Sequence, residues 1–360
     1  MAKVAKIPVI DVSGVDQEQI AKQLVEAAIE HGFIYIKNPN KPDTPPGIEG
    51  TPGAVIPWRA IDGAFEISKR LFNAPLSEKQ ACSIQKNNRG WSGMQVETLD
   101  PATQRVGDFK EAFNFGPFQD SKADQPLPPT IIPDELNICT FQSFCYSLCI
   151  RITILLGIGL GVNPPDFFTN AHLRENGPSG TILRLLYYPP PSSTPDANPS
   201  ADVRAGAHSD YGSMTLLFRL PGQAGLEILT AEQKWAPVPV TPPGTEDDPT
   251  PPILLNIGDL LSYWTNGLLR STVHRVVFSG EGQIPGEETG EEPRYSIAYF
   301  FHPVGTTPLT PIPSERVQNH VPDGEEKGKG NPYAERKVMT ADEHLQMRLR
   351  ASYLQLYKDK

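Results

Sequence analysis

The sequence predicts a mainly β fold, an antiparallel sandwich or barrel braced by flanking helices, and three observations carry that expectation. From residue 181 onward, short alternating or β-branched runs recur between turn residues. The 38 prolines, about twice the average share for a chain of 360 residues, gather into clusters that punctuate the chain. Amphipathic helical spacing occupies the N-terminal part and returns only near the C-terminus.

Residues 7–11 are the first strand candidate. Within 16–31, DQEQIAKQLVEAAIEH, the positions Ile20, Leu24, Ala27 and Ala28 recur at helical spacing and make one apolar face. Gly32 stops that helix, and 33–37 reads as a strand. A second helix is expected over 60–73 and a long apolar one over 135–157. Later strands are expected at 181–188, 213–217, 225–229, 253–257, 272–278 and 295–301, with a final helix at 341–357. Stretches 38–57, 126–133, 189–199 and 237–252 read as loops, because proline lacks an N–H donor and restricts the residue before it. The chain is long enough for two average domains, but sandwiches and barrels of this size also form one, and a single core with helical additions is expected. There is no internal repeat.

Hydrophobic residues at 38% and charged residues at 21% describe a soluble chain with a sizeable core. A formal net charge of −10, with no Lys/Arg run, argues against nucleic acid and anionic membrane partners. The N-terminal MAKVAKIPVIDVSG has no uninterrupted apolar segment, and no stretch reads as the roughly 20 apolar residues of a membrane-spanning helix. A cytoplasmic monomer or weak homo-oligomer is therefore expected. Cys82, Cys139, Cys145 and Cys149 show no CxxC spacing and are expected to be reduced core residues.

Four elements carry chemistry. In RAGAHSDYGSMTLLF, His208 and Asp210 stand two apart, so on a strand both project from one face. His274, in STVHRVV, can add a second imidazole from another strand. Two histidines and one carboxylate on one face of an iron leave positions open for a chelating cosubstrate and O2. In EPRYSIAYFFHP, alternation puts Arg294, Ser296, Ala298 and Phe300 on one face. A buried arginine and hydroxyl there call for an anionic partner, and a carboxylate suits a guanidinium's two-pronged geometry; a surface ion pair is the alternative for Arg294 alone. In ILRLLYYP, Arg184, Leu186 and Tyr188 share a face, either as a strand capping the core or as a further cation and phenol for the anion pocket.

Together these motifs, with the opening IPVID and HGFIYIKN segments, resemble the isopenicillin N synthase-like branch of the Fe(II)/2-oxoglutarate-dependent dioxygenases over nearly the whole chain. LRLLYYP, AGAHSDYGSMTLLF, STVHRVV and RYSIAYF are most similar to fungal members such as thymine 7-hydroxylase, and also to ethylene-forming enzymes. The resemblance implies a double-stranded β-helix core (jelly-roll, cupin-like) at 179–305, after an N-terminal α/β region at 1–135 and bracing helices at 136–178, and before a C-terminal loop and helix at 306–360. It implies His208, Asp210 and His274 as iron ligands, Arg294 and Ser296 as the anchor of the 2-oxoglutarate C5 carboxylate, and Tyr188 and Arg184 as further cosubstrate contacts. Leu186 stands where the family carries an asparagine, which removes one polar contact.

The implied reaction couples oxidation of a small organic substrate by O2 to conversion of 2-oxoglutarate into succinate and CO2, with hydroxylation the main outcome. Tyr211 and Phe300 are the leading candidates for substrate contacts, followed by Arg89 and Trp91 in NNRGWSG and Phe113 in DFKEAFNFG. His31, His172, His302, His320 and His344 have no partner motif and are expected to be structural or exposed. Three alternatives use the same fold. One is an oxidase of the isopenicillin N synthase type that needs no 2-oxoglutarate, another an ethylene-forming enzyme that degrades 2-oxoglutarate, and the third a non-catalytic binding protein.

Overall fold

A computed structural model describes residues 4–38, 53, 55–101, 103–194, 202–278, 292–322 and 338–352. Most of the expected loop at 38–57 lies outside these residues. The helices are α1 (Gln17–Glu30), α2 (Trp58–Phe72), α3 (Leu76–Ala81), α4 (Glu135–Gly159), α5 (Phe167–His172), α6 (Asp259–Trp264), α7 (Glu315–Gln318) and α8 (Ala341–Ser352). The strands are β1 (Val9–Ile10), β2 (Phe33–Ile36), β3 (Gly90–Ser92), β4 (Glu111–Phe115), β5 (Phe118–Gln119), β6 (Lys122–Ala123), β7 (Ile182–Tyr188), β8 (Ala205–His208), β9 (Met214–Arg219), β10 (Leu226–Leu229), β11 (Trp235–Pro237), β12 (Ile253–Ile257), β13 (His274–Val276) and β14 (Arg294–Phe301).

Eight strands form a large sheet in the order β1-β2-β12-β9-β14-β7-β4-β3, and four form a smaller one, β11-β10-β13-β8. The β1–β2 pair is parallel, and the other pairings are antiparallel. Period-two alternation gives the large sheet two different faces. On one, Leu183, Leu185, Leu216, Phe218, Ile297 and Tyr299 pack beneath the helical layer of α1, α2 and α4. On the other, Leu186, Tyr188, Leu254 and Ala298 meet Ala205, Leu226, Ile228 and Val276 of the small sheet. Each such Leu, Ile or Phe side chain removed from water contributes about 1.5–3 kcal/mol. The second face, shared by both sheets, encloses the candidate site.

The helical layer also buttresses that site. Asp16 caps α1 by accepting from the Gln19 N–H at 3.0 Å, and Ile20, Leu24, Val25 and Ala28 bury its inner face. Gly32 ends the turn at φ +66, where a Cβ would lie 2.2 Å from the Arg270 carbonyl oxygen. That close approach lets Thr272 Oγ1 donate to the His31 carbonyl at 2.8 Å, two residues before His274.

One expectation is corrected here. Residues 129–159 form a helical stretch long and apolar enough to cross a membrane, although the sequence reading found none. Scattered Gln142, Ser143, Ser147 and Arg151 interrupt the apolar run and obscure it. Phe141, Cys145, Leu148, Cys149, Ile152 and Leu155 are buried in the main core, which accounts for a helix apolar on most of its sides.

Candidate active site

His208 and His274 face each other directly across the β8–β13 pair, their ring centroids 4.3 Å apart. Asp210 Oδ1 lies 3.6 Å from His208 Nε2 and 3.7 Å from His274 Nε2, and the three donor atoms all fall within 4.8 Å of one another. The spacing from His208 suggested that Asp210 shares its strand, but β8 ends at His208 and Asp210 follows in the loop after it. Its backbone is fixed from the other side, where the Asp259 N–H donates to the Asp210 carbonyl at 2.7 Å as α6 begins. Two glycines make that approach possible. A Cβ on Gly258 would lie 2.2 Å from the Gly212 carbonyl oxygen, and one on Gly212 would lie 2.6 Å from that of Phe301.

The unused atoms of each donor group are occupied. His208 Nδ1 donates to the Gly206 carbonyl at 2.7 Å and His274 Nδ1 to that of Thr272 at 3.2 Å, which leaves both Nε2 atoms as acceptors aimed at one point. Asp210 Oδ2 accepts from Thr215 Oγ1 at 2.6 Å and Asn256 Nδ2 at 2.7 Å, so Oδ1 is the oxygen presented to the histidines. Burial pushes the Asp210 carboxyl upward, but the two histidines and these hydrogen bonds outweigh it and hold it below its ordinary value. Burial, then proximity to His274, pushes the His208 imidazole well below its usual range, so it is neutral. Two imidazole nitrogens and an ionised carboxylate oxygen, each oriented by a second partner, fit a non-haem Fe(II) ion.

A chamber runs from this cluster between the sheets, with Arg294, Ser296, Ala298 and Phe300 of β14 all lining it. Arg184, Leu186 and Tyr188 line it from β7, Arg294 lying opposite Tyr188 and Ala298 opposite Arg184. Arg294 is 3% exposed; its Nε donates to the Ala224 carbonyl at 3.0 Å and its guanidinium lies 4.8 Å from the Tyr188 ring centroid. Two further buried arginines, Arg204 near Arg294 and Arg219 across from Ser296, were not anticipated. Arg204 Nη2 donates to the Pro189 carbonyl, and burial, then Arg294, pushes its pKa down to about 10. Arg219, opposite Ser296, donates to the carbonyls of Val238 and Pro239. This far end is rich in cations, which suits a dicarboxylate whose other end reaches the metal.

Comparison with known proteins identifies the arrangement. Residues 179–303 match the model of the 2OG-Fe(II) oxygenase superfamily, and residues 7–135 match that of the non-haem dioxygenase in morphine synthesis N-terminal. The chain is 36% identical to UPF0676 protein C1494.01 of Schizosaccharomyces pombe, over 87% of this chain and 86% of that one. The chain belongs to the 2OG-Fe(II) oxygenase superfamily. It is a 2-oxoglutarate-dependent dioxygenase, and Fe(II) and 2-oxoglutarate are its cofactor and cosubstrate. It is also 32% identical to proline hydroxylase buaE of Petromyces alliaceus, over 80% of this chain and 82% of the relative. Among solved structures, a full-length Neurospora crassa protein in complex with alpha-KG and thymine superimposes with a TM-score of 0.70 at 26% identity, covering 98% of this chain and 99% of that one.

The oxygenase has a second chamber, meeting the first at His208, Asp210, Arg184 and Phe300. Tyr211 and Phe300 line it, as expected. Leu345 and Leu349 of α8 close its outer side, and Arg348 of the same helix lies 5.2 Å from the Tyr211 ring centroid while pairing with Asp259 at 2.7 Å. His302, expected to be structural or exposed, is buried and also lines this chamber. Burial, then His344 and His172, pushes its imidazole down to about 3 and keeps it neutral.

Phe113, Trp91 and Arg89 do not line either chamber. Phe113 is fully buried on the helix side of β4, against Phe115 at 4.7 Å between centroids. Trp91 packs on the same core and donates its indole N–H to Glu111 at 2.8 Å. Arg89 pairs with Asp124 at 2.5 Å, away from the metal cluster. The sequence reading chose the aromatic face of DFKEAFNFG, whereas the site uses the polar one. Asn114 accepts from Arg184 Nε at 2.6 Å, and Lys110 lines the first chamber. Lys110 is salt-bridged to Glu97 at 2.9 Å and more closely to Asp108, and Glu97 and Asn88 line the second chamber. Asp108, Lys110, Ala112 and Asn114 alternate in the sequence, and that polar alternation was the signal.

Proposed function

We propose that this dioxygenase hydroxylates a small organic substrate, with His208, Asp210 and His274 holding iron and with Arg294, Ser296 and Tyr188 holding the distal carboxylate of 2-oxoglutarate. The observation that carries the reading is the position of the donor cluster at the junction of two chambers, one ending in a buried guanidinium and the other roofed by aliphatic side chains. When bound, the iron and its cosubstrate supply the oxidising chemistry, with O2 and 2-oxoglutarate giving succinate and CO2. The protein's part is geometric. The Gly206 and Thr272 carbonyls hold the histidine tautomers, and Thr215 and Asn256 hold the carboxylate. Arg294 fixes the cosubstrate at a distance from the metal, and Leu345 and Leu349 exclude water above it.

Similarity to a protein named proline hydroxylase supports hydroxylation as the outcome. The two facing sheets accord with a double-stranded β-helix core. A cytoplasmic, monomeric or weakly oligomeric protein remains part of the proposal, supported by the acidic, ordinary soluble composition. The test is a metabolite-library screen for substrate-stimulated succinate formation by the Fe(II)-loaded enzyme, followed by product analysis for one added oxygen. Products lacking that oxygen would replace hydroxylation with desaturation or ring closure. Failure to bind 2-oxoglutarate anaerobically would remove the assigned role of Arg294.

A further inference from the structure

Asp259, at the start of α6, touches three parts of the molecule on which the donor cluster depends. Its N–H donates to the Asp210 carbonyl at 2.7 Å, and the next residue, Leu260, donates to the Tyr211 carbonyl at 3.3 Å. Its Oδ1 accepts from Ser271 Oγ at 2.7 Å, and Thr272, one residue on, holds His274 Nδ1 through its carbonyl. Its Oδ2 lies 2.7 Å from Arg348 Nη2 on α8, whose guanidinium lies 5.2 Å from the Tyr211 ring centroid. The helix over the second chamber, the segment leading to His274 and the backbone of Asp210 therefore meet at one residue. The sequence of α8 explains why. Ala341, His344, Leu345, Arg348 and Leu349 recur at helical spacing and make one face, while Asp342, Glu343, Gln346 and Met347 are exposed. The first turn is fixed by main-chain bonds, from the Ala341 N–H to the Thr307 carbonyl and from the Asp342 N–H to the Gly305 carbonyl, both at 3.0 Å. Thr340 and Glu343 cap each other's N–H groups there. The same face then passes over the second chamber at Leu345 and Leu349, and Arg348 ties that part of the helix to α6.

We propose that Asp259 is a positioning residue that couples the seating of α8 over the second chamber to the placement of Asp210, so that the metal is held most tightly when the roof is seated. The inference rests on the reading of Asp210 as an iron ligand and adds a control on it. A carboxylate engaged by Ser271 on one oxygen and by Arg348 on the other has one orientation, and the N–H of the same residue then meets the Asp210 carbonyl in one geometry. Without Arg348, one oxygen loses its cation, and the residue that holds both Asp210 and the Ser271–His274 segment gains freedom. Such coupling is reciprocal, so a metal that draws Asp210 into place also steadies α8. A molecule in the second chamber touches the roof at Leu345 and Leu349, and its arrival is thereby felt at the metal ligands.

The test uses the full chain under argon and reads two quantities other than turnover. One is Fe(II) affinity, titrated in the presence of 2-oxoglutarate; the other is amide hydrogen exchange across 341–352, with and without Fe(II) and 2-oxoglutarate. In the wild-type protein, loading should slow exchange in α8 by about threefold or more. Arg348→Met keeps the aliphatic stem and removes the charge. It should lower Fe(II) affinity by about fivefold, the scale of a partly exposed ion pair, and abolish the slowing of α8 by the metal. Asp259→Asn keeps the N–H to Asp210 and an acceptor for Ser271, and should have the same two effects; should it misfold, Arg348→Met carries the test alone. Arg348→Lys should recover part of both. The double variant should be no worse than either single one, because all three remove one interaction. A merely structural contact would loosen α8 and leave Fe(II) affinity intact. That result in a folded Arg348→Met, α8 exchange indifferent to the metal in the wild type, or additive losses in the double variant would overturn the inference. A wild-type chain that binds no Fe(II) would instead sink the assignment of Asp210 beneath it.

Discussion

The two chambers share a wall and the His208, Asp210 and His274 cluster, yet they hold their buried charges differently. At the Arg294 end, Arg294, Arg204 and Arg219 are bonded to backbone carbonyls. At the Glu97 end, Lys110 is bonded to Glu97 and Asp108, and Arg184 lies beside Glu97. A cation bonded to carbonyls and one bonded to carboxylates meet an incoming anion with different fields.

The largest effect on this comparison comes from removing the element common to both chambers. His208→Ala, His274→Ala and Asp210→Ala should each abolish succinate formation with the fold retained by circular dichroism, because three donors become two. Near-normal turnover in any of them would remove that residue from the metal site. Next in size, Arg294→Ala should leave the cosubstrate carboxylate without its partner, at about 2–5 kcal/mol. Anaerobic titration should then show 2-oxoglutarate affinity reduced by about 30-fold or more, each 1.4 kcal/mol being tenfold. Lys at this position should recover only part, since a point charge lacks the two-pronged geometry. An unchanged affinity would revive the oxidase that needs no 2-oxoglutarate.

A smaller change should follow from Thr215→Val, which deletes one of the two hydrogen bonds holding Asp210 Oδ2. Fe(II) affinity should fall by about 10–100-fold, as for other partners that orient metal ligands. Equal affinity would show that Asn256 alone suffices. The smallest effect on the site should come from Phe113→Leu, because Phe113 packs under the helices. It should lower stability by about 1 kcal/mol, read in a denaturant titration, and leave cosubstrate and substrate affinities unchanged. A shift in substrate affinity would return Phe113 to the pocket wall.

The pattern of these residues explains what could be read from the sequence. The interior face of β14 was legible because Arg294, Ser296, Ala298 and Phe300 alternate on an unbroken strand, where position alone fixes direction. The HxD pair was legible as chemistry but not as backbone, since the strand ends between its two members and a loop carries Asp210 into place. Glu97, Asn88, Arg204 and Arg219 were illegible for a different reason. Each reaches the site through contacts distant in sequence, such as Arg184 with Glu97, and no local spacing records them. In DFKEAFNFG the alternation was visible, but hydrophobic expectation favoured the aromatic face. The long helix α4 was placed correctly while its capacity to span a membrane was overlooked, since its polar residues are spread along the apolar run.

The glycine contact behind Asp210 bears on how such a chain can change over generations. Positions 212 and 258 have no room for any side chain, and Asp210 Oδ2 is held by Thr215 and Asn256. Drift on that wall would dislodge the metal before it altered the ligand. The opposite boundary is permissive, being made of the segment carrying Asn88, Glu97 and Leu99 and of the aliphatic face of α8. New substrates would be acquired there, by exchange of single side chains at 88, 99, 345 and 349, with the oxidising centre inherited intact.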